Sequence, residues 1–290
     1  MRILIIGKNS YIGTHIKKHL QKYDMLVDEF DVEHESLEEL ELSHYQTVIH
    51  VAAIVHRKDI QDWNVYKKIN VDLPIEVARM SKSNGVKQFI FMSSMAVYGV
   101  EKNLNKCCII DENTEYSPST MYGKSKLDAE IGVLKLQDEK FAVSIIRPAN
   151  VYGKDCRGNY IKMFCKITKM FPMLPDVYRN IKQGFLYVDN LCELVNLLIK
   201  KGVTGIFPAQ DKEMISSIEL MEKISNVLKL NKRNSKILGS IFYLFRIAPV
   251  NKLFGGVVYH EEYCKFSFGD YQIFSFDAGL NKTLENVDLT

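Results

Sequence analysis

The chain reads as an α/β protein: a doubly wound parallel sheet covered by helices, followed by a smaller C-terminal lobe. Three observations predict this. Short apolar, β-branched runs alternate with segments of helical periodicity through most of the chain. The first run ends in a glycine-bounded turn that opens a helix, the strand-turn-helix unit of such sheets. Polar and turn-forming residues gather where later strand runs stop, and open α/β sheets bind their ligands at those carboxyl ends.

Arg2-Ile3-Leu4-Ile5-Ile6 is the first strand, and Ile12, Ile16 and Leu20 recur at helical spacing after it. Between them lies Gly7-Lys8-Asn9-Ser10-Tyr11-Ile12-Gly13, whose two end glycines let backbone approach a pyrophosphate and let helix pack against strand. Met25 to Val32 reads as the second strand. A carboxylate near its end, Asp31 first and Asp28 second, can accept bonds from an adenosine ribose and disfavour a 2′-phosphate. Lys8 could answer such a phosphate, which keeps NADP beside NAD.

Thr47 to Val51 is the third strand, running into Ala52-Ala53, and the interval before it is short enough to suggest a trimmed strand-helix unit. His50 reads as structural. Asp72 to Asn84 forms a helix with Gly85 as its C-cap, and Phe89 to Met92 forms the next strand. That strand stops at Ser93-Ser94, which places Ser94 at a ligand-binding edge.

Tyr122-Gly123-Lys124-Ser125-Lys126 opens a helical segment expected over 124–136, with apolar residues at Leu127, Ile131 and Leu134. Positions four apart share a helix face, so the Tyr122 hydroxyl and the Lys126 ammonium can converge. A phenol ionises near pH 10; a neighbouring cation moves it toward the working pH and makes it a usable general base. Taken alone, such a pair also suits an ordinary amphipathic helix with a packed tyrosine and a solvated lysine. Ala142 to Arg147 supplies a further strand, leading into Pro148-Ala149-Asn150-Val151-Tyr152-Gly153. Asp189 to Lys201 and Ser216 to Leu228 are amphipathic helices flanking a short strand at Ile206-Phe207-Pro208, and Ser216 with Glu219 forms a capping box.

Together the glycine turn, the serine at a strand end and Tyr-x-x-x-Lys resemble the extended short-chain dehydrogenase/reductases of the NAD-dependent epimerase/dehydratase family. The branch is the one related to UDP-glucose 4-epimerase. His50-Val51-Ala52-Ala53, Arg147 to Gly153, and Gln183-Gly184-Phe185-Leu186-Tyr187-Val188-Asp189-Asn190 carry the resemblance further. It implies a Rossmann-type domain over residues 1–153 with a returning segment at about 185–210, and a substrate lobe over 154–184 and 211–290.

The resemblance also implies roles. Ser94, Tyr122 and Lys126 are the catalytic set, with Tyr122 as proton acceptor, Ser94 bonded to the reacting oxygen and Lys126 on the nicotinamide ribose. NAD would be held by Gly7, Ser10, Tyr11, Ile12, Gly13, Asp31, Val51, Ala52, Ala53, Asn70, Tyr122, Lys126 and Pro148. A nucleotide-sugar substrate, UDP-linked, would meet Ser94, Asn150 and Asn159. Two positions depart from the pattern: Ser10 stands for a glycine, and Gln183 for an arginine that binds substrate phosphate. Arg157, Arg179 and Arg246 are the cations considered as replacements. Met95 and Ala96 stand where dehydrating relatives carry Asp-Glu, and neither can transfer a proton.

The activity implied is nucleotide-sugar 4-epimerisation. A 4-keto-sugar reductase using NADPH is the alternative, and a non-catalytic dinucleotide sensor is the alternative of another class. Relatives pair helices, including the one bearing Tyr122, into a homodimer. A net charge of +3 from 38 basic and 35 acidic residues, with no long like-charged block, gives no nucleic-acid footprint. Six cysteines lack Cys-x-x-Cys or zinc spacing, so reduced thiols and no metal are expected. The N-terminus has no leader-like pattern, and the apolar stretch 237–258 is broken by Arg246, Pro249, Asn251 and Lys252. A cytoplasmic protein with no membrane partner is expected, its residues 237–258 forming a lid or core helix pair.

Overall fold

The computed structural model describes residues 1–55, 62–102, 104–156, 160–244 and 248–285. In the first half, β1 (Arg2–Ile6) leads through α1 (Tyr11–Gln21) to β2 (Leu26–Phe30), and a single 3-10 turn at Leu37–Glu39 precedes β3 (Thr47–His50). The trimmed connection predicted between the second and third strands is therefore present. One turn of helix, α2 (Trp63–Tyr66), continues through a π-helical stretch at Lys67–Asp72 into α3 (Leu73–Ser83), and β4 (Gln88–Met92) follows. Gly85, at φ +79°, ends α3 in the left-handed conformation that a residue with a Cβ resists.

Next come β5 (Cys108–Ile110), α4 (Met121–Leu134), β6 (Ala142–Pro148), β7 (Asn150–Tyr152) and α5 (Tyr160–Met170). Short strands β8 (Leu174–Pro175), β9 (Lys182–Gln183) and β10 (Phe185–Tyr187) lead to α6 (Val188–Lys201) and β11 (Gly205–Ala209). The remainder is β12 (Ile215–Ser216), α7 (Ser217–Val227), β13 (Asn234–Ser235), α8 (Lys236–Leu244), α9 (Ala248–Phe254), β14 (Val257–Tyr259) and α10 (Phe276–Leu284).

Six strands form one parallel sheet in the order β11-β6-β4-β3-β1-β2. Alternation along β1 shows why it is covered on both sides. Ile3 and Ile5 join the cluster containing Ile16, Leu20, Leu191 and Leu194 of α1 and α6, whereas Leu4 and Ile6 join Val77, Ala78, Ala129 and Val133 of α3 and α4. Two helical layers thus sandwich the sheet, and the strand ends line up along one edge.

The second half is tied to this core through polar contacts. Asn190 donates to Asp211 Oδ1 at 2.7 Å and to the Phe274 carbonyl at 3.0 Å, while its own carbonyl accepts from the Ile273 and Phe274 amides. Tyr152 and the Tyr187 amide also donate to Asp211. No helix among the described residues is long and apolar enough to cross a membrane. Of the lid or core pair expected over 237–258, α8 is not a core helix: only Gly239 is buried, and Ile237 and Leu244 are 79% and 78% exposed.

Candidate active site

Gly7 sits at φ +119°, and a Cβ there would lie 2.9 Å from the Ala52 nitrogen. The amides of Val51 and Ala52 both donate to the Ile6 carbonyl, so the turns after β1 and β3 lie against each other. A Cβ on Gly13 would meet Ser10 Oγ at 2.5 Å. That hydroxyl is the N-cap of α1 and accepts from the Gly13 amide at 3.2 Å. Ser10 therefore replaces backbone freedom with a cap. The Tyr11 and Ile12 amides, at the first two helical positions, have no intrahelical acceptor and point out of the positive end of the helix. This is an anion cradle of the dinucleotide type.

Asp31 lies one residue beyond β2, its carboxylate held below the usual range by the Glu33 amide and by His34. Asp28 is already engaged, bonded to Arg2 Nε at 2.8 Å and to the Tyr45 hydroxyl at 3.0 Å. Of the two carboxylates weighed from sequence, Asp31 is the one at the strand end. The Tyr11 hydroxyl is buried without a hydrogen-bond partner among the described residues. A glycine-walled cradle, two helix-end amides, that orphaned hydroxyl and a terminal carboxylate fit a dinucleotide such as NAD.

Asn70 is engaged within the chain. Its side chain is fully buried, accepts from the Ile54 amide at 2.8 Å, and donates to the Ile54 carbonyl and to Ser125 Oγ. Both amide protons are consumed inside the chain, so Asn70 ties the turn after β3 to α4. His50 is fully buried beside Phe89 and Phe91; burial, helped by the charge of Lys126, lowers it to about 3 and keeps it neutral.

Ser94 follows β4, and its hydroxyl accepts from the Ala96 amide at 3.1 Å, capping a 3-10 turn over Met95–Tyr98. Thr120 caps α4 through the Gly123 amide, so the helix begins at Met121, three residues earlier than its apolar spacing predicted. Tyr122 is thereby inside the first turn. A Cβ on Gly123 would lie 2.5 Å from the Ala96 carbonyl oxygen. Only glycine lets this turn press onto the loop of Ser94, and the contact brings the Tyr122 phenol into a hydrogen bond with Ser94.

Lys126 is 2% exposed and donates to the Met92 carbonyl at 2.7 Å, its ammonium 4.6 Å from the centre of the Phe91 ring. Burial lowers it to about 7, against an opposing pull from Glu130. Burial likewise raises Tyr122 to about 12, with the Ser94 bond working in the other direction. The expected direct effect of Lys126 on the phenol is therefore not what sets Tyr122 here. Desolvation dominates both groups, because each is sealed between α4 and the sheet.

One turn further along the same helix face, Glu130 is 1% exposed and bonded to Arg147 through Nε at 3.0 Å and Nη2 at 2.5 Å. Ser93 also donates to it, and Arg147 donates to the Tyr98 hydroxyl at 2.8 Å. This buried pair joins the ends of β4 and β6. Its signal was present in the chain: Tyr122, Lys126 and Glu130 are spaced four apart.

Pro148 ends β6 and is buried. Asn150, half-buried, donates to the Gly184 carbonyl at 2.8 Å, beside buried Gln183. Gln183 accepts from Lys102 at 2.9 Å and from the Tyr160 hydroxyl, and donates to Ser217 Oγ at 2.6 Å. Lys102 thus places a cation at this position, which no sequence signal indicated. Arg179 is committed to Asp176 and Glu222. Asn159, Arg157 and Arg246 lie outside the described residues. Among the described residues no His, Cys, Asp and Glu cluster could hold a metal.

Residues 3–207 match the NAD dependent epimerase/dehydratase family. The chain belongs to that family. It is 28% identical over 249 residues to a UDP-glucose 4-epimerase of Vibrio cholerae, covering 78% of this chain and 75% of that one. It is also 28% identical over 250 residues to an N-acetyl-alpha-D-glucosaminyl-diphospho-ditrans,octacis-undecaprenol 4-epimerase of Escherichia coli O157:H7, covering 80% and 73%. A dTDP-4-dehydrorhamnose reductase from Clostridium acetobutylicum superposes with a TM-score of 0.72 at 22% identity, over 98% of this chain and 99% of that one. Epimerase and reductase therefore share this fold, and the fold alone does not separate them.

Proposed function

We propose that the protein is a 4-epimerase of sugars carried on a diphosphate, with UDP-hexoses or UDP-N-acetylhexosamines as substrates. The observation that carries this is the hydrogen bond between Ser94 and Tyr122, with Lys126 bonded to the last carbonyl of β4, beside a cradle fit for NAD. Bound NAD supplies hydride transfer in both directions, so no net cofactor is consumed. Tyr122 takes the proton of the sugar 4-hydroxyl and later returns it. Ser94 holds that oxygen through the hydroxyl that bonds Tyr122. Lys126, near neutrality, gains its charge when anionic groups enter the site, and a charged Lys126 lowers the Tyr122 phenol from its dry value.

Val51, Ala52, Ala53 and Pro148 shape the cofactor floor, with the Gly7 to Gly13 turn on the diphosphate and Asp31 on the ribose. On the substrate side, Asn150 and Lys102 would face the diphosphate of the sugar, Lys102 standing in for the arginine that Gln183 replaces. A point-charge ammonium serves this role without the bidentate geometry of a guanidinium.

The test is Tyr122→Phe. Loss of one general base lowers kcat by about 10²–10⁴-fold, with the circular dichroism spectrum unchanged. Turnover within a few-fold of the parent would remove Tyr122 from the mechanism. A second reading keeps the reaction and changes the carrier to a polyprenyl diphosphate. It is favoured by the outward apolar face of α8 in the same lobe.

A further inference from the structure

The described surface has one helix turned the wrong way round for a soluble protein. On α8, Ile237, Ile241 and Leu244 fall at i, i+4 and i+7, a spacing that makes one continuous stripe. The stripe points outward: these side chains are 79%, 45% and 78% exposed. The opposite side of α8 meets the protein, with Phe242 packed edge-on against Phe171 and Phe254, and Tyr243 stacked on Tyr178. Gly239 presses against the Asp176 backbone, where a Cβ would lie 2.4 Å from the carbonyl oxygen. The helix is therefore seated, and its apolar stripe is not the result of a loose packing face.

The end of α5 extends the patch. Met170 and Met173 are 70% and 45% exposed, and this segment is joined to the approach to α8. The Leu174 amide donates to the Arg233 carbonyl at 2.9 Å, and Lys232 Nζ donates to the Lys169 carbonyl at 3.4 Å.

Charge follows the same outline. Residues 160–175 contain Lys162, Lys166 and Lys169, residues 228–244 contain Lys229, Lys232, Arg233 and Lys236, and neither segment holds an aspartate or glutamate. The nearest carboxylates on packed elements, Asp176 and Glu222, are held by Arg179, and Glu222 also accepts from Asn234. No ion pair joins Lys232, Arg233 or Lys236 to a carboxylate among the described residues. An apolar stripe rimmed by cations, with the two neighbouring carboxylates engaged by Arg179, is complementary to an anionic lipid surface, with side chains among the acyl chains and ammonium groups on the phosphates.

We infer that the outward face of α8, with the end of α5 and the 229–236 segment, docks on an anionic membrane surface. This attachment is peripheral: α8 has nine residues and lies on the bilayer. It refines the expectation of no membrane partner, since the broken apolar run excludes a span and leaves surface contact open. The inference stands apart from the epimerase reading, because it is read out without any sugar.

The test is co-sedimentation of the full chain with vesicles of phosphatidylcholine alone or mixed with phosphatidylglycerol. Binding to the mixed vesicles, weakened by salt, is expected. The double variant Ile237→Asp, Leu244→Asp and, separately, Lys232→Glu with Lys236→Glu should each reduce binding by about tenfold or more. These side chains lie outside the catalytic set, so thermal melting and turnover of a soluble substrate should hold. Equal binding by the variants, or none by the parent, overturns the proposal. So does a parent that is dimeric by sedimentation equilibrium and becomes monomeric in the Ile237, Leu244 variant, which would assign the face to a second copy of the chain.

Discussion

Lys126 is the residue whose environment most sharply divides function from stability. Its pKa in the folded protein is about 7, below the unfolded value near 10.4, because burial disfavours the ammonium. Between those values the unfolded chain binds more protons than the folded one, so stability attributable to this group rises with pH from about 7 to about 10. Below pH 7 the full cost of a buried charge is present. Lys126→Met should therefore raise stability at pH 6 by on the order of 2 kcal/mol and flatten that pH dependence, while abolishing turnover. Denaturant melts at pH 6 and pH 10 check this. Glu130 behaves oppositely. Removing it leaves Arg147 buried and unpaired, so Glu130→Ala should cost roughly 3–5 kcal/mol in urea unfolding.

At the scale of elements, the placement of α4 against the Ser94 loop decides whether Tyr122, the proposed base, meets Ser94. Gly123→Ala puts a methyl 2.5 Å from the Ala96 carbonyl oxygen, and either the helix or the loop must move. We expect a loss of about 1–3 kcal/mol together with a fall in kcat, read from thermal melts and steady-state kinetics. Much of the element layout was legible in the chain. Alternating apolar runs gave all six strands of the main sheet, because buried parallel strands are near-continuous Val, Ile, Leu and Phe. The capping box at Ser216 and Glu219 formed as read. The start of α4 was misplaced because Thr120, a polar cap outside the apolar pattern, sets it.

Within the candidate site, Ser94, Tyr122 and Lys126 could be singled out from the chain because strand ends and four-residue spacing are local signals. Lys102 was invisible, since its meeting with Gln183 depends on a contact across 81 positions. The buried bonds of Asn70 to Ile54 and Ser125 could only be seen once α4 was packed.

For the whole molecule, two readings divide along one axis: whether a sugar carbon is inverted with no net redox change, or a keto group is reduced. The sheet, the cradle and the catalytic set serve either. The Vibrio and Escherichia relatives are both 4-epimerases by name, and they match about four-fifths of this chain. The proposed docking of α8 would place the same chemistry at a lipid surface. The proposed turnover and the proposed membrane attachment are separable, one read from the residues at the strand ends and the other from the outward face of α8. The central claim is tested most directly by proton NMR of the purified protein with UDP-glucose, UDP-N-acetylglucosamine or an N-acetylglucosaminyl diphospho-polyprenol, without added cofactor. We predict new anomeric signals for at least one of them, reaching the same ratio from either C4 epimer. If all three stay unchanged even with added NAD, while a nucleotide 4-keto sugar consumes NADPH, the epimerase account is contradicted and the protein is a reductase.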